Sequence, residues 1–260
     1  MSTYGGVTNI IAYLGAAAWI PQIITWVCNF FSKPVIAIIP EKIACIGYTI
    51  YGPIFNLRLS INTKKKDSII DFMSVELCHE NGSKHNFEWA GMAEFFSEVK
   101  NNKGENQIIQ RDIIPIAIKL NTLSLVERFF RFQDSAFIKK IRVQSEKFVE
   151  MMQYMKKKNE NYPADFIASK DFEDHMKFMR ENFYWQPGSY TVKFRIRSPE
   201  KIKINEKTYN FELTQENIDA LRSNLEEVGT FIQAVCKSQP ADQNTQPNNF
   251  RWVNTVLESV

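Results

Sequence analysis

Residues 188–197, GSYTVKFRIR, decide how the chain reads. Tyr190, Val192, Phe194 and Ile196 alternate with Thr191, Lys193, Arg195 and Arg197, the period of two that sends one set of side chains to a core and the other to water. The preceding Gln186-Pro187-Gly188-Ser189 is a turn signal, and Tyr209, Phe211 and Leu213 supply a hairpin partner. Thr214 then caps a helix, with Leu213 and Ile218 as a hydrophobic staple. In that helix Ile218, Leu221, Leu225, Val228, Ile232 and Val235 recur at spacings of three and four.

Upstream the same alternation returns. Val35–Ile39 and Ile43–Ile50 read as first or edge strands. In Ile54–Asn62, Phe55, Leu57, Leu59 and Ile61 face one way, with Asn56, Arg58, Ser60 and Asn62 on a wet face. Met73, Val75 and Leu77 lead into the turn HENGSKH, residues 79–85. A loop of odd length with Gly82 in the left-handed conformation keeps Phe87 and Trp89 on the face of Val75, along with His79 and His85. The same Asn-Gly turn accounts for the sequon at Asn81 without a glycan. The polar run KNNKGENQII, residues 100–109, reads as a loop and Ile113–Leu120 as a strand. Two amphipathic helices follow, at about 134–157 and 170–183, because Phe137, Ile141, Phe148, Met152 and Met155, then Phe172, Met176, Met179 and Phe183, recur at helical steps.

Strands before and after a helical insertion give a mainly β fold with an α insertion, an antiparallel β-sandwich in preference to a doubly wound sheet. The phrase from Trp185 to Val192, WQPGSYTV, resembles the turn and strand near the end of immunoglobulin-like and fibronectin-like sandwiches. The resemblance covers about a dozen residues and implies a binding scaffold with no activity of its own. The inter-sheet cysteine pair of antibody-type domains is missing. The expected fold is thus an immunoglobulin-like sandwich, preceded by a hydrophobic helix and followed by an amphipathic one.

The chain holds 260 residues, 44% hydrophobic and 23% charged, with a formal charge of +3. It can bury a full core, and its charge is too slight for a dedicated nucleic-acid binder. Four cysteines at positions 28, 45, 78 and 236 have neither the density nor the spacing of a disulfide framework or zinc module. No phosphate-binding glycine loop occurs in the sequence.

The first charged residue is Lys33. From Ile10 to Cys28 run 19 mostly apolar residues, long enough at about 1.5 Å per residue to cross a hydrocarbon layer of roughly 30 Å. Trp19 and Trp26 share a helix face, and Gln22 and Asn29 make a weakly polar one suited to self-association. Lys33, Lys42, Arg58, Lys64, Lys65 and Lys66 all follow this stretch, which by the positive-inside tendency puts the main domain in the cytoplasm. A cleaved signal fits poorly, for no Lys or Arg precedes the apolar run. The organisation expected is a membrane-anchor helix over 1–33, a sandwich over 34–236 with its insertion at about 134–184, a flexible linker over 237–249, and an apolar helix-like docking peptide over 250–260.

Chemistry is sparse. His79, His85 and Cys78 share a hairpin but leave a metal short of ligands, so no metal and no cofactor are expected. His175 lies within a helical Met and Phe pattern, and Glu98-Val99-Lys100 resembles the acidic-x-Lys element of some nucleases without a placed Asp. The basic groups Lys64–Lys66 and Lys193, Arg195 and Arg197 are candidates to face anionic lipid. Phe250, Trp252, Val256 and Leu257 are candidates to dock on a partner. The function these features imply is non-enzymatic binding or assembly at a membrane, with lipid and a protein partner or further copies of the chain as partners and no nucleic acid. Two alternatives remain at this point: a soluble subunit of a multiprotein complex whose N-terminal helix packs on a partner, and a hydrolase or nuclease using the helical insertion.

Overall fold

The computed structural model describes residues 19–27, 31–100, 106–114, 116–158, 161–205, 207–237 and 249–260, without the side chains of 94–100 and 106–112. Residues 19–27 form helix α1. The strands are β1 (Val35–Thr49), β2 (Gly52–Lys64), β3 (Ser68–Ile70), β4 (Phe72–His79), β5 (Lys84–Lys100), β6 (Asn106–Ile113), β7 (Ile118–Leu120), β8 (Val126–Asp134), β9 (Gly188–Arg197), β10 (Lys203–Asn205), β11 (Thr208–Leu213), β12 (Val253–Val256) and β13 (Glu258–Ser259). The insertion between β8 and β9 holds α2 (Ser135–Lys158), α3 (Ala164–Ile167) and α4 (Lys170–Glu181), and α5 (Gln215–Lys237) follows β11.

The architecture is mainly β with helical additions. Among the described residues the expected pair of sandwiched sheets does not appear. Eleven strands join one curled, half-barrel sheet with the path β10-β1-β2-β8-β5-β4-β9-β11-β13, while β3 and β7 form a separate pair. The C-terminal peptide bridges the seam of the curl: β12 pairs antiparallel with β1, Ile43 opposite Val256, and β13 with β11, Tyr209 opposite Ser259. Thr255 Oγ1 donates to the Glu212 carbonyl at 2.9 Å, and the Leu257 amide to the Lys42 carbonyl at 2.7 Å. The helix-like reading of 250–260 is therefore corrected to extended strand. Val253, Thr255 and Leu257 turn inward and are buried, while Asn254, Val256 and Glu258 face out.

Alternation fills the interior. Phe55, Leu57, Leu59 and Ile61 of β2 are fully buried, and the Phe55 ring packs near Phe87, Phe132 and Phe211 from three other strands. The hairpin register is as expected from burial, with Leu77 opposite His85, Val75 opposite Phe87, and Gly82 at φ +90°. The outer face of β2 is not uniformly wet, for Asn56 is buried between Cys45 of β1 and Arg131 of β8. Three further differences concern element boundaries. Val35–Ile39 and Ile43–Ile50 form one strand with a bulge between Pro40 and Ala44. Of the polar stretch read as a loop, Lys100 ends β5 and residues 106–109 open β6, and of Ile113–Leu120, Ile113 and Ile118–Leu120 are strand. Strand β8 has its inward set as Phe130, Phe132 and Asp134, a pattern the charged residues between them obscure.

The helices cover one end of the curl. Tyr48 OH donates to the Met179 carbonyl at 2.6 Å and Trp185 Nε1 to the Gly47 carbonyl at 3.3 Å, tying α4 and the segment after it to β1. Helix α5 is capped by Thr214, whose Oγ1 accepts from the Asn217 amide. It sets Ile218, Leu221 and Val228 into the core, and Asn224 exchanges two hydrogen bonds with the Arg251 backbone at 2.7 and 2.8 Å.

At Gly47 a Cβ would overlap the Trp252 ring, which lies flat against the bare backbone. Gly47→Ala is therefore expected to cost roughly 1–3 kcal/mol through overpacking and to make the segment after 249 cleavable. Urea denaturation with limited proteolysis checks this; unchanged stability and cleavage would mean that the ring is not seated there.

Candidate functional site

Register places many basic residues at one end of the curl. Val35 pairs with both Lys64 and Lys203, and the Lys203 amide donates to the Pro34 carbonyl at 2.8 Å. The segment arriving from α1 through Lys33 thus enters the sheet beside Lys64, Lys65, Lys66 and Lys203. The Lys64–Lys66 turn is fixed by Lys65 at φ +76° and by Thr63 Oγ1 donating to the Lys66 carbonyl at 2.8 Å. Just beyond it, the β3–β7 pair plugs this end: Ile70, Ile118 and Leu120 point into the core, while Ile69 and Lys119 point out.

Helix α1 contributes a group of exposed apolar side chains. Trp19, Ile20, Ile23, Ile24, Trp26 and Val27 are exposed, as is Phe31 before β1. Gln22 is exposed beside them. Thr25 Oγ1 donates back to the Pro21 carbonyl at 2.7 Å, an i−4 bond within the helix. Asn29 lies outside the described residues, as does the stretch before Trp19.

The outward row of β9 is partly neutralised. Arg195 Nη2 bonds Glu76 Oε2 at 2.7 Å, and Arg197 Nε bonds Asp71 Oδ1 at 3.1 Å with its guanidinium over the Phe72 ring. Carboxylates on β4 and at the residue just before it thus offset the charge of both, while Lys193 faces out opposite Glu76 and Thr208. Of the basic residues singled out from sequence, Lys64–Lys66 sit where α1 joins the sheet, and Lys193 stands four residues short of the end of β9.

The docking residues meet this chain's own sheet. Leu257 is buried in the seam, Phe250 packs near Phe231 of α5, Trp252 covers Gly47, and Val256 faces solvent. Phe231, Phe250, Trp252, Ile50, Ile54 and Arg131 line a cleft of about 250 Å³. A second cleft of about 390 Å³, lined by Asn210, Glu212, Thr255 and Glu258, follows the seam.

The histidines are structural parts of two different junctions. His79 Nε2 lies 3.1 Å from the Pro187 carbonyl, and Nδ1 accepts from the Asn81 amide at 3.3 Å, so both ring nitrogens are engaged. His85 stacks on Tyr184 at 3.5 Å, its Nδ1 lying 3.4 Å from Asp134 Oδ2. Asp134 also accepts from Tyr184 OH at 2.8 Å and from the Phe137 amide at 2.7 Å, which caps α2. Burial by itself would raise the Asp134 carboxyl, but the hydrogen bonds from His85, the Phe137 amide and Tyr184 outweigh it and hold it below its usual range. The Tyr184 phenol is driven well above its usual range by burial and by Asp134. Sequence reasoning missed this cluster; its signal was an Asp three residues before Phe137 at a helix start.

His175 is buried against Phe148, their ring centroids 4.3 Å apart, and its Nδ1 has no hydrogen-bond partner. Burial pushes its pKa down, so the neutral ring is the folded form. No group of three or more His, Cys, Asp or Glu with metal-binding geometry occurs among the described residues. The side chain of Glu98 is outside what the structure describes. Comparison of the chain with family models, with curated proteins and with solved structures returned no match.

Two outcomes follow from these junctions. Asp134→Ala leaves buried donors on Tyr184 and Phe137, and is expected to lower stability by roughly 1–3 kcal/mol for each donor left unpaired, read by urea denaturation. His175 has a lowered folded pKa, so the stability of its neutral form is complete above the unfolded value of about 6.5 and drains away as pH falls through the lowered one. Thermal melts between neutral and acid pH should show a shallower decline for His175→Phe than for the parent; identical slopes would remove His175 from the account.

Proposed function

We propose that the chain is a non-enzymatic binding or assembly protein held at a membrane by its N-terminal segment, with the curled sheet on the cytoplasmic side. The observation that carries this reading is the exposed apolar surface of α1, with Trp19, Ile20, Ile23, Ile24 and Val27 turned to solvent. Contiguous apolar surface of that kind marks a membrane or partner contact. Among the described residues no helix is long and apolar enough to cross a membrane; α1 is the C-terminal part of the apolar sequence that begins near Ile10.

Charge supports the orientation. Lys33, Lys64, Lys65, Lys66 and Lys203 gather where α1 joins the sheet, where cytoplasmic flanks of an anchor carry their Lys and Arg. Cys45, Cys78 and Cys236, the cysteines among the described residues, are free thiols, a state that a reducing compartment preserves. Gln22, on the exposed helix, favours further copies of the chain as partners, since an amide in lipid seeks another helix.

The test is fractionation of the full chain. The parent is expected to stay in the pellet through a carbonate wash and to need detergent, and the double substitution Ile20→Arg with Ile24→Arg is expected to move it to the supernatant. A parent chain extracted by carbonate would overturn anchoring. If it then co-purifies with a protein that leaves when α1 is charged, the helix packs on a partner instead.

A further inference from the structure

The plug at the end of the curl has an outer side that the core does not explain. Ile70, Ile118 and Leu120 face inward, so hydrophobic residues elsewhere in this small segment are not needed to seal the end. Yet Ile114 is 86% exposed, Ile116 91% and Leu123 100%, with Leu125 exposed beside them. Residues 121–125 are exposed without exception. Isolated exposed leucines need no explanation, but four within twelve residues, at two loops flanking one short strand, form a group.

Their placement is held rather than incidental. The Thr122 amide donates to Asp67 Oδ1 at 2.9 Å, with Thr122 Oγ1 3.3 Å from the same oxygen. The Ser124 amide closes a turn on the Asn121 carbonyl at 3.2 Å. This fastens the Leu123 tip to the residue that follows Lys64, Lys65 and Lys66. Lys119 projects from the outer face of β7 between the two apolar loops. Strand register brings the start of β1, which α1 precedes in the chain, to the same end, since Val35, Lys64 and Lys203 lie side by side and Val126, one residue after Leu125, pairs with Ile61. Among the described side chains, the acidic groups at this end are Asp67, engaged by Thr122; Asp71, paired with Arg197; Glu127, 3.6 Å from Arg58; and Glu200. Lysines therefore predominate around the apolar tips.

Apolar tips rimmed by lysines beside an apolar anchor match the chemistry of an anionic bilayer surface. The hydrocarbon boundary accepts Ile and Leu, and each nearby Lys gains from the negative potential of the head groups. We infer that the end of the sheet carrying Ile114, Ile116, Leu123 and Leu125 is a second, lipid-charge-selective contact, which seats the domain against the bilayer that α1 enters. The inference rests on the anchored reading above and adds to it: the domain does not hang from a tether but lies with this end on the lipid. Arg195 and Arg197, neutralised by Glu76 and Asp71, contribute little to the contact.

Hydrogen exchange of the full chain in lipid nanodiscs tests it. One disc holds phosphatidylcholine alone and the other phosphatidylcholine with phosphatidylglycerol. Amides of 116–125 and 63–67 are expected to exchange at least several-fold more slowly in the anionic disc, with the difference collapsing at high salt. Ile116→Asp with Leu123→Asp should abolish the slowing, as should Lys64→Glu with Lys65→Glu, while both variants still incorporate through α1 and keep the parent melting temperature. Exchange that is equal in the two discs, whether fast or slow, overturns the lipid-charge-selective contact. A parent chain that does not incorporate into either disc overturns the anchored reading itself, so the two failures are distinguishable.

Discussion

The seam between β1 and β11 is the constraint on which the structure depends. A curled sheet that stops short of closure leaves two rows of backbone donors and acceptors, and a bare edge is a template for pairing with another chain. Here one peptide pairs with part of each row, with Ile43–Ile46 of β1 as β12 and with Tyr209 and Asn210 of β11 as β13. Its Thr255 hydroxyl is spent on the Glu212 carbonyl and its Trp252 ring on the bare Gly47 backbone. Asn224 of α5 holds the Arg251 backbone in place from above. The sheet, the helix and the tail thus determine one another's positions.

Around that seam the chain divides its labour between two ends. At one, helices and the Asp134 cluster bind β5, β8, α2 and the approach to β9 into a single junction. At the other, the small β3–β7 pair seals the core while the surrounding loops and turns carry Lys and bare Ile or Leu. Under the proposed binding or assembly role, the functional content would lie in which end faces what; within the helical insertion, His175 is buried against Phe148 with one nitrogen unsatisfied.

Much of the β content was legible because burial and local geometry agreed. Gly82 in the turn and the alternation through Val75, Leu77 and Phe87 give a register that the pairing reproduces. Tyr190, Val192 and Phe194 likewise turned inward. The tail misled because its inward set is Val253, Thr255 and Leu257. Thr255 hides the period of two, while Val253, Val256 and Leu257 mimic a helical stripe. In β8 the charged Arg128 and Arg131 broke up the apolar pattern. Sheet closure lay beyond local pattern altogether, since it depends on edges meeting across most of the chain. The basic groups were visible in the sequence, but their relation to α1 and to the Leu123 tip came only from register.

Pairing of Ile46 with Val253 also sets a schedule for biosynthesis. Just over two hundred residues separate these partners in the chain, so at roughly 5–20 residues per second the outer edge of β1 waits on the order of ten to forty seconds for its neighbour. During that interval the first strand is made but unsealed, with the apolar N-terminal segment already outside the ribosome. Early capture of that segment by a membrane would hold successive nascent chains apart while their edges are open. Under the proposed anchoring, that segment would also serve as a chaperone for its own domain.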